Sequence, residues 1–356
     1  MHYIYLISFI IALAASLMFT PWMRRLAFKL GAVDAPNQRK VHTKMMPRLG
    51  GLAIFMAFIA SFLVALPLAD GYKPQIIAGI LLGGAIVTLV GALDDRFGLS
   101  PKMKLLGQLL AAGVVVLFGV RVDFITIPFG DGTQIGWIGI PLTILWIVGV
   151  TNAINLIDGL DGLAAGVSAI ATGTIFILAI MMGNITVALI SIILLGSILG
   201  FLVFNFHPAK IFMGDSGALF LGFILASLSV LGFKQATIVS FLVPLFILGV
   251  PLSDTFFAIV RRMHNRTPIS VADKNHLHHC LLMLGLSHRN AVLVIYGIAL
   301  FFASGALLLS TVAQWVAIIV IAITLLMLQL GAEAIGIVSK GRRPIIHFVQ
   351  RLFSLK

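Results

Sequence analysis

The sequence predicts an all-α polytopic integral membrane protein. Of its 356 residues, 60% are hydrophobic and only 10% are charged, and the mean hydropathy is +1.12. A soluble domain has about one quarter charged residues, so this chain cannot cover itself with a polar surface in water. The single cysteine excludes a disulfide framework and a cysteine-built metal site.

Apolar stretches of spanning length, ~20 residues each, recur along the chain. They predict about eleven transmembrane helices, at 3–22, 49–68, 76–93, 103–120, 138–156, 163–182, 185–204, 216–233, 237–259, 291–309 and 313–334. The first stretch lacks a preceding Lys or Arg and is followed by Arg24, Arg25 and Lys29. This pattern is typical of a retained first helix rather than of a signal peptide.

The basic residues predict how these helices are oriented. With the N-terminus outside, 21 of the 24 Lys and Arg residues fall in the loops at 23–48, 94–104, 205–215 and 260–290 or in the tail after 335. Because Lys and Arg concentrate in cytoplasmic loops, we expect the N-terminus outside and the C-terminus in the cytoplasm. The net charge of +12 then follows from membrane topology, and we expect no nucleic acid partner.

The long outer connection at 122–140 has β-rich flanks around Asp131-Gly132, which favours a small external β-hairpin. No internal repeat or Pro/Ser-rich linker divides the chain. Residues 1–356 are therefore predicted to form a single transmembrane domain. Its functional cytoplasmic loops are expected at 23–48, 94–104, 156–162, 205–215 and 260–290.

Acidic residues collect at the predicted cytoplasmic ends of the helices. The pair Asp94-Asp95 lies in GALDDRFGLSPKMKLLGQ, and Asp215 lies between glycines in HPAKIFMGDSGALFLGF. The segment NAINLIDGLDG (152–162) places an amide or a carboxylate at every third residue, and Asp254 lies near the inner end of the ninth helix. Helix capping explains isolated Asp residues but requires neither adjacent pairs nor regular triplets. We interpret these acids as an interior functional site.

These residue types suit a divalent cation and a phosphate-bearing substrate. Carboxylate and amide oxygens are ligands of Mg²⁺, which proteins commonly hold with one or two carboxylates plus substrate phosphates. Lys and Arg around such a cation suit a diphosphate, which predicts phosphoryl transfer involving a molecule that resides in lipid. A membrane transporter is the alternative class, and its acids are expected near the midplane of the bilayer.

Two loops leave alternatives open on residue types alone. The segment DKNHLHHCLLMLGLSHRN (273–290) suits zinc binding through H-x-H-H, a phosphate contact, or a plain surface loop. The first inner loop, which carries Lys40 and Lys44, suits a substrate contact or anionic lipid head groups.

Four motifs in order resemble the polyprenyl-phosphate N-acetylhexosamine-1-phosphate transferases, a glycosyltransferase 4-like family. They are GALDDRFGLSPKMKLLGQ, NAINLIDGLDGLAAG, IFMGDSGALFLG and HLHHCLLMLGLSHR, and the similarity runs from about residue 36 to 290. The resemblance implies a polytopic membrane enzyme with a cytoplasmic active site. It also implies transfer of a sugar-1-phosphate from a UDP-sugar to undecaprenyl phosphate, release of UMP, and a need for Mg²⁺ or Mn²⁺.

The resemblance further implies roles for individual residues. The expected metal ligands are Asn155 and Asp215. The expected catalytic set comprises Asp94, Asp95, Asp158 and the phosphate-contacting pair His278 and His279. Expected substrate contacts are Asp161, facing the uracil ring, and Lys104, with Asn152, Lys40, Lys44, His276 and Arg289 as further candidates. Because a phosphate monoester is already largely dianionic at pH 7, we expect Asp94 or Asp95 to orient the acceptor without becoming phosphorylated.

The histidine motif indicates a branch of this family. Phospho-MurNAc-pentapeptide transferases carry three consecutive histidines, whereas this chain reads His276-Leu277-His278-His279. The H-L-H-H form with S-x-R at 287–289 resembles the branch that takes UDP-GlcNAc and primes teichoic acid, O-antigen or similar surface polymers. Cys280 stands where a basic residue is often found. We expect UDP-GlcNAc as donor, phospho-MurNAc-pentapeptide transfer as the alternative, and a plasma (inner) membrane location, while a homodimer is left open.

Overall fold

The structure, a computed structural model, describes residues 2–34, 45–126, 132–232, 238–266 and 275–335. Within these ranges the α-helices are α1 (His2–Leu30), α2 (Gly50–Ala65), α3 (Pro74–Phe97), α4 (Pro101–Leu117), α5 (Gly139–Ile157), α6 (Leu163–Met181), α7 (Ile185–Asn205), α8 (Gly214–Gly232), α9 (Ile238–Ile247), α10 (Gly249–His264), α11 (Leu277–Met283), α12 (His288–Leu309) and α13 (Gln314–Ile335). The strands are β1 (Val33–Asp34), β2 (Met46–Pro47), β3 (Phe124–Thr126) and β4 (Gly132–Gln134).

Eight of the described helices are long and apolar enough to cross a membrane: α1, α2, α3, α5, α6, α7, α8 and α12. This confirms the nearly all-α, polytopic membrane class, because in lipid a helix satisfies its own backbone polar groups. The count of eleven spans and the orientation of the termini stay predictions. The fourth predicted span corresponds to α4, which has 17 residues, and the last corresponds to α13.

The hairpin expected at 122–140 is confirmed as an antiparallel pair of β3 and β4, with Ile125 opposite Thr133. Its placement outside the membrane stays a prediction. A second pair was not predicted: β1 and β2 join the two ends of the first inner loop, with Val33 opposite Pro47.

Several helices run past the ends that hydropathy predicts. The predicted ends at 22, 93 and 259 correspond to helix ends at Leu30, Phe97 and His264. The predicted loop at 94–104 therefore shrinks to the short connection 98–100. The physical reason is that an apolar stretch ends at the first charged residues, whereas the helix continues wherever those side chains find water or a protein partner. Arg24 and Arg25 are exposed, and Asp95 is bonded to α8.

The ninth predicted span, 237–259, is wrong as a single helix. It is divided at Leu248 into α9 and α10. Pro251 explains the division, because proline lacks the N–H that would bond to the carbonyl of Ile247 and its ring crowds that carbonyl. The loop predicted at 260–290 is also partly helical, since it contains the end of α10 and all of α11.

Helix α8 lies at the centre of the bundle and packs against α2, α3, α5 and α6. Nearly all of its residues are buried. Small residues permit close backbone approach between membrane helices. A Cβ at Gly51 or Gly91 would overlap the α8 backbone near Ser216, and one at Gly222 would overlap Thr151 of α5. The first turn of α8, which carries Asp215, is therefore held from several sides.

Hydrogen bonds join three of the loops at this end of the bundle. The Phe212 N–H donates to the Pro47 carbonyl at 2.8 Å, and the Gly51 N–H donates to Met213 at 2.8 Å. Asn205 joins two further segments, accepting from the Gly162 N–H at 3.1 Å and donating to the Ile211 carbonyl at 3.0 Å. The starts of α2 and α8 thus meet the end of α7 and the connection that follows α5.

Candidate active site

A lysine bridges two carboxylates at the centre of this end. Lys104 Nζ lies 2.8 Å from Asp215 Oδ2 and 3.2 Å from Asp94 Oδ2. Asp94 also accepts the Leu99 N–H at 2.7 Å, which fixes its carboxylate across the short α3–α4 connection. The acids and the lysine predicted from separate motifs are therefore in direct contact, and all three side chains are partly accessible.

Asp95, the neighbour of Asp94, has a different set of partners. Its carboxylate accepts the N–H groups of Asp215 at 2.8 Å and Ser216 at 3.0 Å. These amides open α8, whose own first turn leaves them without intrahelical acceptors. Gly214, at φ 71°, permits the approach, because a Cβ there would overlap the Asp95 carboxylate. Asp95 thus caps α8 from α3, and its side chain is buried.

The expected metal ligands lie next to one another. The side chains of Asn155 and Asp94 both lie close to the Asp215 carboxylate. Converging carboxylates repel one another unless a proton or a cation offsets their charge, and Lys104 Nζ already lies between these two. An amide oxygen and one or two carboxylates are the protein ligands that Mg²⁺ takes beside substrate phosphates. The donor set therefore fits a hard divalent cation.

Asp158 follows the last residue of α5 and is half-buried. Burial raises the pKa of Asp158 to about 8; the carboxylates of Asp215 and Asp95 add to the rise, and Arg48 opposes it. At neutral pH this side chain is therefore mostly protonated. A carboxyl group whose pKa is moved into the physiological range by burial and neighbouring charge is typical of a functional site.

Asp161 is held by two histidines from other segments. Its Oδ2 lies 2.8 Å from His207 Nδ1 and accepts the Ala209 N–H at 3.1 Å. Its backbone N–H donates to His288 Nε2 at 2.9 Å, and the rings of His207 and His288 stack with centroids 4.3 Å apart. The Asp161 carboxylate is thus positioned by the loop after α7, and its backbone by the first residue of α12.

Asp161, His207 and His288 also offer three ligand atoms within 4.8 Å of one another, a group that could hold a metal ion. However, the Nε2 lone pair of His288 accepts the Asp161 amide, and His207 Nδ1 bonds to the carboxylate. We interpret the group as a hydrogen-bonded support for Asp161.

The histidine motif forms the short helix α11. His278 is buried, and a Cβ at Gly159 would overlap its Nε2, so the imidazole packs directly on the segment between Asp158 and Asp161. Burial lowers the pKa of His278 to about 3, with His279 adding to the shift, so the ring is neutral at pH 7. The His279 ring lies 4.2 Å from it.

Other predicted site residues have partners elsewhere or lie apart. Asn152 and Gln108 exchange amide hydrogen bonds of 2.6 and 3.3 Å between α5 and α4. Arg289 is exposed on the first turn of α12. Lys40 and Lys44 lie outside the described residues. The roles predicted for these four residues stay predictions.

Sequence reasoning missed several residues that support the site. His207 lies in HPAKIFMGDSG, the motif that contributes Asp215, but no pattern in the sequence linked it to Asp161. Arg48 was grouped with the basic loop, yet it lies close enough to affect Asp158. Asp254 was noted near the inner end of the ninth predicted helix, but no pattern linked it to its partner His276, which is 22 residues away.

Comparisons with known proteins show the family of this chain. The sequence profile of a family described as glycosyl transferase family 4 matches residues 77–233, which contain the Asp94-Asp95 pair, NAINLIDGLDG and Asp215. The chain is 47% identical over 349 residues to a Bacillus subtilis protein named probable undecaprenyl-phosphate N-acetylglucosaminyl 1-phosphate transferase. That match covers 97% of this chain and 96% of the relative.

Two further relatives carry different names. The chain is 41% identical over 308 residues to the decaprenyl-phosphate N-acetylglucosaminephosphotransferase of Mycolicibacterium smegmatis, covering 78% of this chain and 75% of the relative. It is 34% identical over 318 residues to the phospho-N-acetylmuramoyl-pentapeptide-transferase of Shouchella clausii, covering 85% of this chain and 94% of the relative.

Proposed function

The chain belongs to glycosyl transferase family 4, and from this premise we propose that it transfers GlcNAc-1-phosphate from UDP-GlcNAc to undecaprenyl phosphate. The products are undecaprenyl-diphosphate-GlcNAc and UMP. The observation that carries the proposal is the bridge of Lys104 between Asp94 and Asp215, which joins the end of α3 and the starts of α4 and α8. A fixed lysine beside carboxylates that can hold a divalent cation suits the charge of a diphosphate.

The choice of sugar rests on the relatives and on the histidine motif. The relatives at 47% and 41% identity are named for N-acetylglucosamine, and the relative at 34% is named for N-acetylmuramoyl-pentapeptide. The break in the histidine run at Leu277 supports the same choice. Phospho-MurNAc-pentapeptide transfer is the second candidate.

The chemistry we propose is direct displacement at phosphorus. An oxygen of the lipid phosphate attacks the β-phosphorus of UDP-GlcNAc, the bond from that phosphorus to the bridging oxygen breaks, and UMP leaves with the electron pair. Lys104 offsets the repulsion between the two phosphate groups, and Asp94 orients the acceptor. Neutral His278 supplies a hydrogen bond to a phosphate oxygen. Asp95 is poorly placed as a covalent nucleophile, because both of its oxygens are bonded to backbone amides of α8.

Mg²⁺ or Mn²⁺ is the proposed cofactor, with Asn155 and Asp215 as its protein ligands. When bound, the cation neutralises developing charge on the diphosphate. Asp161 is proposed to face the uracil ring, and Asp158 lies beside the metal ligands.

The proposed location follows from the basic loops. A polytopic chain with Lys and Arg concentrated on one side is oriented with that side in the cytoplasm, where UDP-sugars are made. We propose a single-domain enzyme of the plasma (inner) membrane with its active site on the cytoplasmic face and its N-terminus outside. Its product would prime a surface polymer such as teichoic acid or O-antigen.

The test is a reconstitution of the purified chain with UDP-GlcNAc, undecaprenyl phosphate and Mg²⁺. UMP release that requires all three components is expected. Release with UDP-MurNAc-pentapeptide and not with UDP-GlcNAc would favour the second candidate. Uptake of a solute into vesicles without any UMP would instead indicate a transporter.

A further inference from the structure

A buried carboxylate that is separate from Asp94, Asp95 and Asp215 contacts the first turn of α11, the short helix of the histidine motif. Asp254 lies on α10 and is only 3% exposed. Its Oδ2 lies 2.9 Å from His276 Nδ1, and its Oδ1 accepts the Leu277 N–H at 2.8 Å. We propose that Asp254 is a positioning residue that acts through His276 and the first turn of α11 to hold His278 against the active site. The catalytic consequence rests on the proposed function, whereas the positioning itself does not.

The short helix α11 needs such support. It has seven residues, and an isolated helix of this length is unstable in water. Its N-cap residue, His276, provides no side-chain cap for the exposed amides. The Asp254 carboxylate supplies that cap from another helix and places a negative charge at the N-terminus of α11, where the helix dipole favours it. One side chain thus satisfies both a ring nitrogen and a backbone donor.

The first turn of α11 connects this contact to the site. His278 follows Leu277 directly, and its ring is nearly parallel to the His276 ring, with centroids 6.0 Å apart. His278 Nε2 is buried and makes no hydrogen bond to any residue that the structure describes, although it packs on Gly159. A buried polar atom without a partner is destabilising, so this nitrogen is explained by a ligand that it meets during the reaction.

The surroundings of Asp254 show why its removal would be felt at α11. A cavity of about 370 Å³ borders Asp254, Ser253 and Leu277, and its other walls come from Phe257 of α10 and from α12 and α13. This open volume gives the first turn of α11 room to move once the carboxylate is lost. Burying an acid is costly, so a specific role is needed to explain why one is kept.

The chain contains its own reporter for this test. Cys280 is its only cysteine, lies on α11 and is 4% exposed. The rate at which a small maleimide labels Cys280 in the detergent-solubilised full chain measures how often α11 leaves its place. Asp254→Ala removes both hydrogen bonds, whereas Asp254→Asn keeps an acceptor for the Leu277 amide. Ser253→Ala is the matched control, because it changes a neighbouring residue beside the same cavity.

We expect Asp254→Ala to raise the labelling rate by about 10- to 100-fold or more, because the loss of even one hydrogen bond to a charged group has an effect of that size. Asp254→Asn should fall between Ala and wild type, and Ser253→Ala should match wild type. UMP release should fall in the same order. If the Asp254→Ala chain does not fold, the same assay is run with Asp254→Asn and His276→Ala. Each of these variants should be labelled faster than Ser253→Ala.

Labelling at the wild-type rate in variants that have lost turnover would overturn the positioning role, as would equal acceleration by Ser253→Ala. Because labelling needs no substrate, its outcome is separable from that of the proposed reaction. Faster labelling in a chain that never releases UMP would keep the role of Asp254 and reject the proposed function.

Discussion

Substitution of the adjacent residues Asp94 and Asp95 is expected to have different effects, one on turnover and the other on stability. Asp95 is 7% exposed and accepts two backbone N–H groups of α8, at 2.8 and 3.0 Å. Asp94 faces Lys104 and the more accessible part of the site. We predict that Asp95→Ala destabilises the fold, while Asp94→Asn removes turnover and leaves stability nearly unchanged.

The size of the effect at Asp95 follows from its two bonds. Leaving a buried amide without an acceptor costs about 1–3 kcal/mol, so two amides cost about 2–6 kcal/mol. Removing a buried carboxylate also relieves its own desolvation penalty, which offsets part of this loss and leaves about 2–4 kcal/mol. With an unfolding entropy of about 2.1 cal/mol/K per residue, a chain of this length should lose about 3–5 °C in Tm. Asp95→Asn keeps one acceptor oxygen, and we expect about half that loss.

The assay is thermal unfolding in detergent beside UMP release for the wild type, Asp94→Asn, Asp95→Asn and Asp95→Ala. Asp94→Asn serves as the matched control, because it makes the same chemical change one residue away. A wild-type Tm for Asp95→Ala, together with lost turnover, would refute the capping role and place the Asp95 carboxylate in the chemistry.

Three further predictions concern the centre of the site. Lys104→Met should lower the rate of UMP release by about 100-fold or more, because the phosphates lose the fixed positive charge of Lys104. Lys104→Arg should recover part of that rate. Equal rates for the two variants would contradict the proposed role of the charge. The pKa of Asp158 is raised to about 8, so we expect its carboxyl group to lose a proton when a divalent cation binds nearby. The Mg²⁺ concentration that gives the half-maximal rate of UMP release should therefore fall as the pH rises from 6.5 to 8. Asp158→Asn should flatten that dependence, and an unchanged slope would exclude Asp158 as its source. His207→Ala should raise the KM for UDP-GlcNAc about tenfold with little change in kcat, because the Asp161 carboxylate loses its contact with His207 Nδ1. A fall in kcat at constant KM would contradict a role in donor binding.

The membrane class was predictable from hydropathy, because lipid imposes long apolar helices on any chain that crosses it. The lysine and acids of GALDDRFGLSPKMKLLGQ were predictable as neighbours, because only three residues separate α3 from α4. Their further contact with Asp215, 111 residues from Lys104, depended on the resemblance to a family, since no local pattern encodes it.

Some side chains have contact partners that the sequence did not predict, because tertiary packing sets those contacts. Adjacent positions on a helix point about 100° apart, which is why Asp95 faces α8 while Asp94 faces Lys104. Asn152 likewise turns to Gln108 of α4, a partner that its regular spacing with Asn155 could not indicate. The division of α9 from α10 carried a local signal in Pro251, but hydropathy does not register proline as a break.

The most direct test of the central claim is to follow a radioactive phosphorus in the β-position of UDP-GlcNAc. Transfer of GlcNAc-1-phosphate carries that phosphorus into the lipid, so the label should extract into organic solvent while unlabelled UMP stays in water. Asp215→Asn should abolish this extraction. Label that stays in water as UDP while GlcNAc reaches the lipid would show transfer of the sugar alone and contradict the proposed reaction.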